Sequence, residues 1–131
     1  MSKNENLRPN RDLLHGQSVL LIEDDEVNQI LLNRMITDQG GHAYLATEKG
    51  DALEQARELR PDLVIVDISV KGINSFEYIR SLKALLPGGS LIMGITSVNY
   101  RGRGLLYGLD GMMHKPIDYS SFKESLSQLF A

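Results

Sequence analysis

A single carboxylate ends the most apolar run of the chain. Residues 63–66 (LVIV) are apolar and partly β-branched, and Asp67 follows them directly. A run that is apolar on both faces predicts a central strand of a parallel sheet, and such sheets place their chemistry just beyond the carboxyl ends of their strands. Asp67 is therefore the first candidate for a reactive group. The alternative is a turn aspartate that hydrogen-bonds its own backbone.

Polar side chains follow three other predicted strands at the point where each strand ends. They are the acidic pair Asp24 and Asp25 after residues 18–22, Thr96 after residues 91–95, and Lys115 after residues 112–114. Each has an ordinary alternative, because acidic residues also favour helix amino termini, a threonine can end a strand, and a lysine before proline can be an exposed turn residue. At one edge of one sheet, however, these groups would share a crevice with Asp67.

Helical segments separate the predicted strands. The first has apolar residues at helical spacing (Val27, Ile30, Leu31 and Met35) and ends at a Gly-Gly pair, and the second covers residues 50–59. Ser75 is expected to cap a third helix, and Asp118 or Ser120 to begin the last. Three glycines in residues 97–110 leave room only for a shortened fourth helix around residues 104–107.

Strands that alternate with helices predict an α/β fold. With residues 42–46 as an edge strand, the pattern gives a doubly wound, five-stranded parallel sheet with helices on both faces. If the strand order is 2-1-3-4-5, strands one and three are neighbours and the acidic pair lies beside Asp67.

Composition limits the class of protein. The chain has 131 residues, 42% of them hydrophobic and 24% charged, which is typical of one globular domain. We expect residues 1–17 to form an arm or linker and residues 18–131 the folded domain. A net charge of -3 offers no basic surface for nucleic acid, and no apolar run reaches the length of a membrane span. The absence of a secretory signal and of cysteine predicts a cytoplasmic location without disulfides or thiolate zinc sites.

The predicted crevice favours a divalent cation. Carboxylates gathered without a neutralising partner repel one another, so the crevice should bind a hard cation or hold a proton. Mg²⁺ prefers oxygen ligands and commonly joins one or two carboxylates to a phosphate. A nucleophilic carboxylate, a cation, a hydroxyl and an ammonium group together predict the acceptance of a phosphoryl group by an aspartate.

Four segments of the chain resemble one known family. VLLIEDDEVNQILL, PDLVIVDISVKGIN, LIMGITS and MMHKPI resemble the receiver domain of two-component response regulators, over about residues 18–130. The form DDEVNQ is most similar to receivers attached to hybrid histidine kinases. The resemblance implies the flavodoxin-like strand order 2-1-3-4-5 and a histidine kinase or a phosphotransfer protein as partner, and it is compatible with a homodimer. It also implies that the domain is no enzyme beyond its own phosphorylation and dephosphorylation.

The same resemblance implies a role for each candidate residue. Asp67 corresponds to the phosphoacceptor, Thr96 to the switch hydroxyl and Lys115 to the phosphate-sensing lysine. Asp24, Asp25 and Asp67, with the backbone carbonyl of Ser69, would bind Mg²⁺ or Mn²⁺.

Three departures from the family pattern keep alternatives open. Lys71 and Ser75 stand where the family usually has proline and glycine, and Met112 replaces the usual switch aromatic. The span from Thr96 to Lys115 is shorter than usual by about three residues, close to one helical turn. One alternative is a receiver-like interaction module that works without phosphorylation. Another is a phosphohydrolase of the dehalogenase type, in which a second aspartate would stand at the place of Ser69.

Overall fold

One parallel sheet forms the centre of the protein. A computed structural model describes residues 12–70, 73, 76–97 and 108–130. The strands are β1 (Ser18–Ile22), β2 (His42–Ala46), β3 (Leu63–Asp67), β4 (Leu91–Thr96) and β5 (Gly111–His114). All neighbours are parallel and the order is β2-β1-β3-β4-β5, so the predicted fold class and strand order are confirmed. The predicted short fourth helix and the Ser75 cap lie outside the described residues.

Helices with local start signals connect the strands. They are α1 (Glu26–Asp38), α2 (Lys49–Leu59), α3 (Phe76–Leu85) and α4 (Tyr119–Leu129). Asp25 caps α1, since its carboxylate accepts a hydrogen bond from the Asn28 backbone N–H at 2.9 Å, and Asp118 caps α4 in the same way through Ser121 at 2.7 Å. Each cap satisfies a backbone donor that has no partner inside the helix. In the described part of the chain, none of the helices has the length and apolarity needed to cross a bilayer.

The strand side chains alternate between two hydrophobic cores. Leu20, Ile22, Val64 and Val66 belong to the core that also contains Ala52 and Ala56 of α2 and Ile79 and Leu82 of α3. Leu21, Ile65 and Met113 belong to the other core, with Leu32 and Ile36 of α1 and Phe122 and Leu126 of α4. Because successive strand residues point to opposite faces, the helices must cover both faces to keep these side chains from water.

Helix α1 uses a different face from the one that its most obvious apolar spacing suggests. Its buried residues are Leu32, Met35 and Ile36. Val27, Ile30 and Leu31 form an exposed apolar stripe, with 72%, 65% and 39% of their surface accessible. The helix carries apolar residues on two faces, and only one of them can lie against the sheet.

A turn that precedes β1 is part of the packed structure. Leu14 is fully buried in the core between the sheet and helices α1 and α4, and its backbone N–H bonds the Gln39 carbonyl at 3.0 Å. The Gln17 carbonyl accepts from the His42 N–H at 2.8 Å at the start of β2. Leu14 and Gln17 therefore belong to the folded part of the chain, although the polar composition of residues 1–17 predicted an arm or linker.

Candidate functional site

Strand alternation brings three charged residues to one side of the sheet edge. Glu23, Asp67 and Lys115 each stand two positions after a residue of the α1/α4 core: Leu21, Ile65 and Met113. Ile22 pairs with Val66, so continuing this parallel register by one residue places Glu23 beside Asp67. The charges therefore meet because two adjacent strands end at the same level.

Asp67 is almost completely buried, and both of its carboxylate oxygens accept hydrogen bonds. Its side chain is 1% exposed, and the Lys115 ammonium lies 2.6 Å from Oδ2. The Ser69 N–H and hydroxyl donate to Oδ1 at 2.9 and 2.5 Å. Burial alone would raise the pKa of Asp67, but hydrogen bonds with Glu23, Lys115 and Ser69 outweigh it and lower that pKa. Asp67 is therefore held as a carboxylate, the form that a nucleophile needs.

Glu23 is the second buried acid of the site. Its side chain has no solvent exposure, and Oε2 accepts from the backbone N–H groups of Asp24 and Asp25 at 3.1 and 3.3 Å. Oε1 lies 3.9 Å from the Lys115 ammonium, and in the ionised form of Glu23 it has no hydrogen-bond donor among the described residues. Burial, followed by the hydrogen bond with Asp67 and its charge, raises the pKa of Glu23 to about 7. Glu23 therefore keeps its proton up to about neutral pH unless a further cation neutralises its charge.

The carboxylates fit a divalent cation. Glu23, Asp24 and Asp67 each offer an oxygen, and these oxygens lie within 4.8 Å of one another. Asp24 is exposed and gives the cluster a side open to solvent, while Glu23 Oε1 lacks a hydrogen-bond donor in the described structure. An all-oxygen set with one accessible edge suits Mg²⁺ or Mn²⁺, which keep several water ligands.

Glu23 occupies the place in this cluster that the sequence analysis assigned to Asp25. The Asp25 carboxylate instead accepts from the Asn28 N–H as the cap of α1. The signal for Glu23 was the period of two along the strand, because Glu23 stands two residues after the buried Leu21. An acidic run that leads from a strand into a helix divides in this way between the site and the helix cap.

Thr96 ends β4, Lys115 directly follows β5, and Ser69 lies in the turn after β3. Thr96 is buried at the end of β4, and its carbonyl accepts from the Lys115 N–H at 2.8 Å. Burial would lower the pKa of Lys115, but its hydrogen bond with Asp67 and the nearby carboxylates outweigh it and raise that pKa. The peptide bond from Lys115 to Pro116 is cis. Ser69 contacts Asp67 through its amide and hydroxyl, and the role of its carbonyl as a metal ligand stays a prediction.

Fold and site together define a doubly wound domain with an acidic crevice at the carboxyl edge of its sheet. Residues 19–127 match the family described as the response regulator receiver domain. The protein therefore belongs to the response regulator receiver domain family, as the sequence motifs implied.

Curated relatives extend the comparison. The chain is 31% identical to the sensor protein EvgS of Escherichia coli strain K12 over 118 residues, which cover 86% of this chain and 10% of EvgS. It is 29% identical to the polar-differentiation response regulator DivK of Brucella anthropi over 119 residues, 84% of this chain and 93% of DivK. The transcriptional regulatory protein AfsQ1 of Streptomyces coelicolor is 39% identical over 66 residues, half of this chain and 29% of AfsQ1. The chain thus spans under a third of AfsQ1 and EvgS.

Solved structures share the fold. The receiver domain of a sensor histidine kinase from Pseudomonas aeruginosa PAO1, which has a magnesium ion in its active site cleft, superposes with a TM-score of 0.75 at 23% identity and covers 88% of this chain and 99% of that one. A chemotaxis response regulator of Vibrio cholerae gives a TM-score of 0.76 at 19% identity over 86% and 98% of the two chains. At these identities the likeness supports the fold alone.

Proposed function

We propose that this receiver domain accepts a phosphoryl group on Asp67 from the phosphohistidine of a histidine kinase or a phosphotransfer protein. A carboxylate oxygen of Asp67 forms a bond to phosphorus while the phosphorus–nitrogen bond of the donor breaks, leaving an acyl phosphate and a free imidazole. The observation that carries the proposal is the convergence of Asp67 with Glu23, Asp24 and Lys115 at one edge of the sheet. The domain would act only on itself in this reaction.

The chain supplies a held nucleophile and a positive charge beside it. The hydrogen bonds from Ser69 orient Asp67 Oδ1, and the Lys115 ammonium beside Oδ2 can neutralise charge on an incoming phosphoryl oxygen. Thr96, one residue past the register partner of Asp67 on β4, offers its hydroxyl to the same group. Positioning and charge neutralisation are the main contributions that a protein makes to phosphoryl transfer.

A divalent ion is part of the proposal. Glu23, Asp24 and Asp67 would hold Mg²⁺ or Mn²⁺, with the Ser69 carbonyl as a further ligand. When bound, the ion supplies positive charge that stabilises the oxygens of the transferring group. Two observations support this part of the proposal: ionised Glu23 Oε1 has no hydrogen-bond donor in the part of the chain that the structure describes, and the edge at Asp24 is open.

The exposed stripe of α1 is a suitable contact for the phosphodonor. Val27, Ile30 and Leu31 lie within two turns of the Asp25 cap, beside the acidic loop. A groove of about 440 Å³ runs from Leu31 to Lys115 and Ile117. A donor that brings a phosphohistidine to Asp67 would cover this apolar surface, and exposed apolar patches next to a reactive site are typical of partner contacts.

The cytoplasmic location expected from the sequence remains a prediction.

The test is phosphorylation of Asp67 with Mg²⁺ and a small phosphodonor such as acetyl phosphate. We expect the intact mass of the wild type to increase by one phosphoryl group, while EDTA or the Asp67→Asn substitution prevents it. Beryllofluoride with Mg²⁺ should bind the wild type and not the Asp67→Asn variant. Equal modification of both proteins would refute the proposal.

The alternative functions give different outcomes in the same experiments. An interaction module that works without phosphorylation would bind its partner as tightly after the Asp67→Asn substitution as before it, so an unchanged partner affinity would favour that function. A phosphohydrolase would turn over a phosphomonoester continuously. The Ser69 hydroxyl, which donates to Asp67 Oδ1, cannot serve as the acid and base that such turnover needs.

A further inference from the structure

The side chain of Gln29 connects helix α1 to the loop that carries two of the clustered carboxylates. Its amide Nε2 donates to the Glu23 carbonyl at 2.9 Å. The Glu23 N–H still continues the sheet through the Ala46 carbonyl at 3.1 Å. The chain therefore leaves the sheet at Glu23, and Gln29 holds it at this point of departure.

The other end of the same loop is anchored on the same helix. The Asp25 carboxylate accepts from the Asn28 N–H, and the Asp25 carbonyl accepts from the Gln29 N–H at 2.9 Å. Asp24, the exposed member of the acidic cluster, lies between these two fixed residues. The position of its carboxylate relative to Asp67 thus depends on both anchors, and Gln29 strengthens the Glu23 side, where the Glu23 carboxylate also accepts from the Asp24 and Asp25 N–H groups.

We propose that Gln29 is a positioning residue for the divalent ion, acting through the backbone of Glu23. The inference rests on the proposed ion-dependent function and adds a residue to it. Three carboxylates that repel one another gain most from being fixed before the ion arrives, since a loop that must be ordered on binding lowers the affinity. Groups that orient metal ligands from the next layer typically contribute 10- to 100-fold to the affinity. The single neutral hydrogen bond of Gln29 is expected at the lower end, roughly tenfold.

The chain offers a closely matched control. Gln55 on α2 also donates its amide to a backbone carbonyl, that of Leu45, at the same distance of 2.9 Å, and also to Asp51 Oδ2 at 3.0 Å. Both glutamines are half-buried on helices, but Gln55 holds β2 at a residue outside the acidic cluster. Methionine keeps the length and the helix propensity of glutamine without a donor or a charge. Gln29→Met and Gln55→Met therefore each remove a hydrogen bond of the same length to a backbone carbonyl, and Gln55→Met also removes the bond to Asp51.

The experiment measures Mg²⁺ affinity by isothermal titration calorimetry and, in EDTA, the exchange rates of the Asp24 and Asp25 amides by NMR. We expect Gln29→Met to weaken Mg²⁺ binding by roughly tenfold and to speed exchange at both amides, while Gln55→Met leaves both quantities at the wild-type values. Gln29→Ala should reproduce the effect if the methionine variant is poorly folded. A purely structural role would lower the stability of both variants without separating their affinities.

The failures of the two proposals can be told apart. If the wild type binds Mg²⁺ and Gln29→Met binds it equally tightly, Gln29 has no positioning role and the proposed function stands. If the wild type itself does not bind Mg²⁺, both proposals are refuted.

Discussion

Replacement of Glu23 by glutamine should have opposite effects in the absence and in the presence of Mg²⁺. The substitution keeps the shape of a fully buried side chain and removes its charge. Burial and then Asp67 raise the pKa of Glu23 from 4.5 to about 7 in the folded protein. At about 1.4 kcal/mol for each pKa unit, ionised Glu23 lowers the stability of the metal-free protein by up to about 3 kcal/mol.

The sign of this effect follows from the two pKa values. Below pH 4.5 the carboxyl group is protonated in both states and contributes nothing. Between 4.5 and about 7 the unfolded chain releases the proton that the folded protein keeps, so stability falls as the pH rises through this window. Above about pH 7 the loss of stability caused by Glu23 has reached its full value. The lowered pKa of Asp67 has the opposite sign, but it acts below the ordinary value of 3.8, outside this window.

Urea denaturation followed by circular dichroism measures the effect, at pH values from 5 to 8 in EDTA and in Mg²⁺. At pH 8 in EDTA we expect Glu23→Gln to be more stable than the wild type by up to about 3 kcal/mol, since the pKa of about 7 already includes the attraction to Lys115. At pH 5 the difference should fall to about 1 kcal/mol or less. Mg²⁺ should stabilise the wild type and have little effect on the variant, which has lost a ligand.

A matched substitution controls for the change in net charge. Glu26 is exposed in the first turn of α1, so Glu26→Gln should change stability by well under about 1 kcal/mol and leave the response to Mg²⁺ intact. The reasoning is refuted if wild-type stability in EDTA is constant from pH 5 to 8, or if Glu23→Gln is the less stable protein at pH 8.

Two further predictions concern Lys115 and the stripe on α1. Lys115→Met leaves the buried Asp67 without its ammonium partner and should destabilise the metal-free protein by about 3 kcal/mol at pH 8, as measured by urea denaturation, with a smaller loss at pH 5, where Asp67 can take up a proton. Ile30→Glu places a charge on the exposed stripe and should slow phosphotransfer from a histidine kinase or phosphotransfer protein roughly tenfold, while phosphorylation by acetyl phosphate keeps its rate.

Each of these two predictions has a control substitution elsewhere on the surface. Lys83 lies 3.6 Å from Asp110 in an exposed pair, so Lys83→Met should cost at most about 1 kcal/mol. An equal loss of stability in the Lys83 and Lys115 variants would show that the ion pair between Lys115 and Asp67 contributes no more than an exposed one. Phe130→Glu adds a charge at another exposed apolar residue and should leave protein-donor transfer unchanged. If Ile30→Glu slows both donors equally, the stripe is not the docking contact.

Sequence patterns predicted much of the architecture because the relevant interactions are local or strictly periodic. The run of residues 63–66 is buried on both faces, and this alone makes it a central strand that delivers Asp67 to the sheet edge. Asp118 was predicted as a possible start of the last helix, and it caps that helix. Asp25 was predicted as part of the acidic site, and it caps α1. Thr96 and Lys115 lie at strand ends, as their positions after apolar runs indicated.

The tertiary structure alone decided which acid joins Asp67 and which face of α1 is buried. Four successive acidic residues offer several similar pairs, and only the register of β1 against β3 selects Glu23, while the first turn of α1 takes Asp25 as its cap. Helical spacing allows two apolar faces on α1, and docking against the sheet buries Leu32 and Ile36 and leaves Ile30 in solvent. These choices depend on contacts between elements far apart in sequence. The period of two along β1 indicates which side of the sheet Glu23 faces, but only the register shows that it lies level with Asp67.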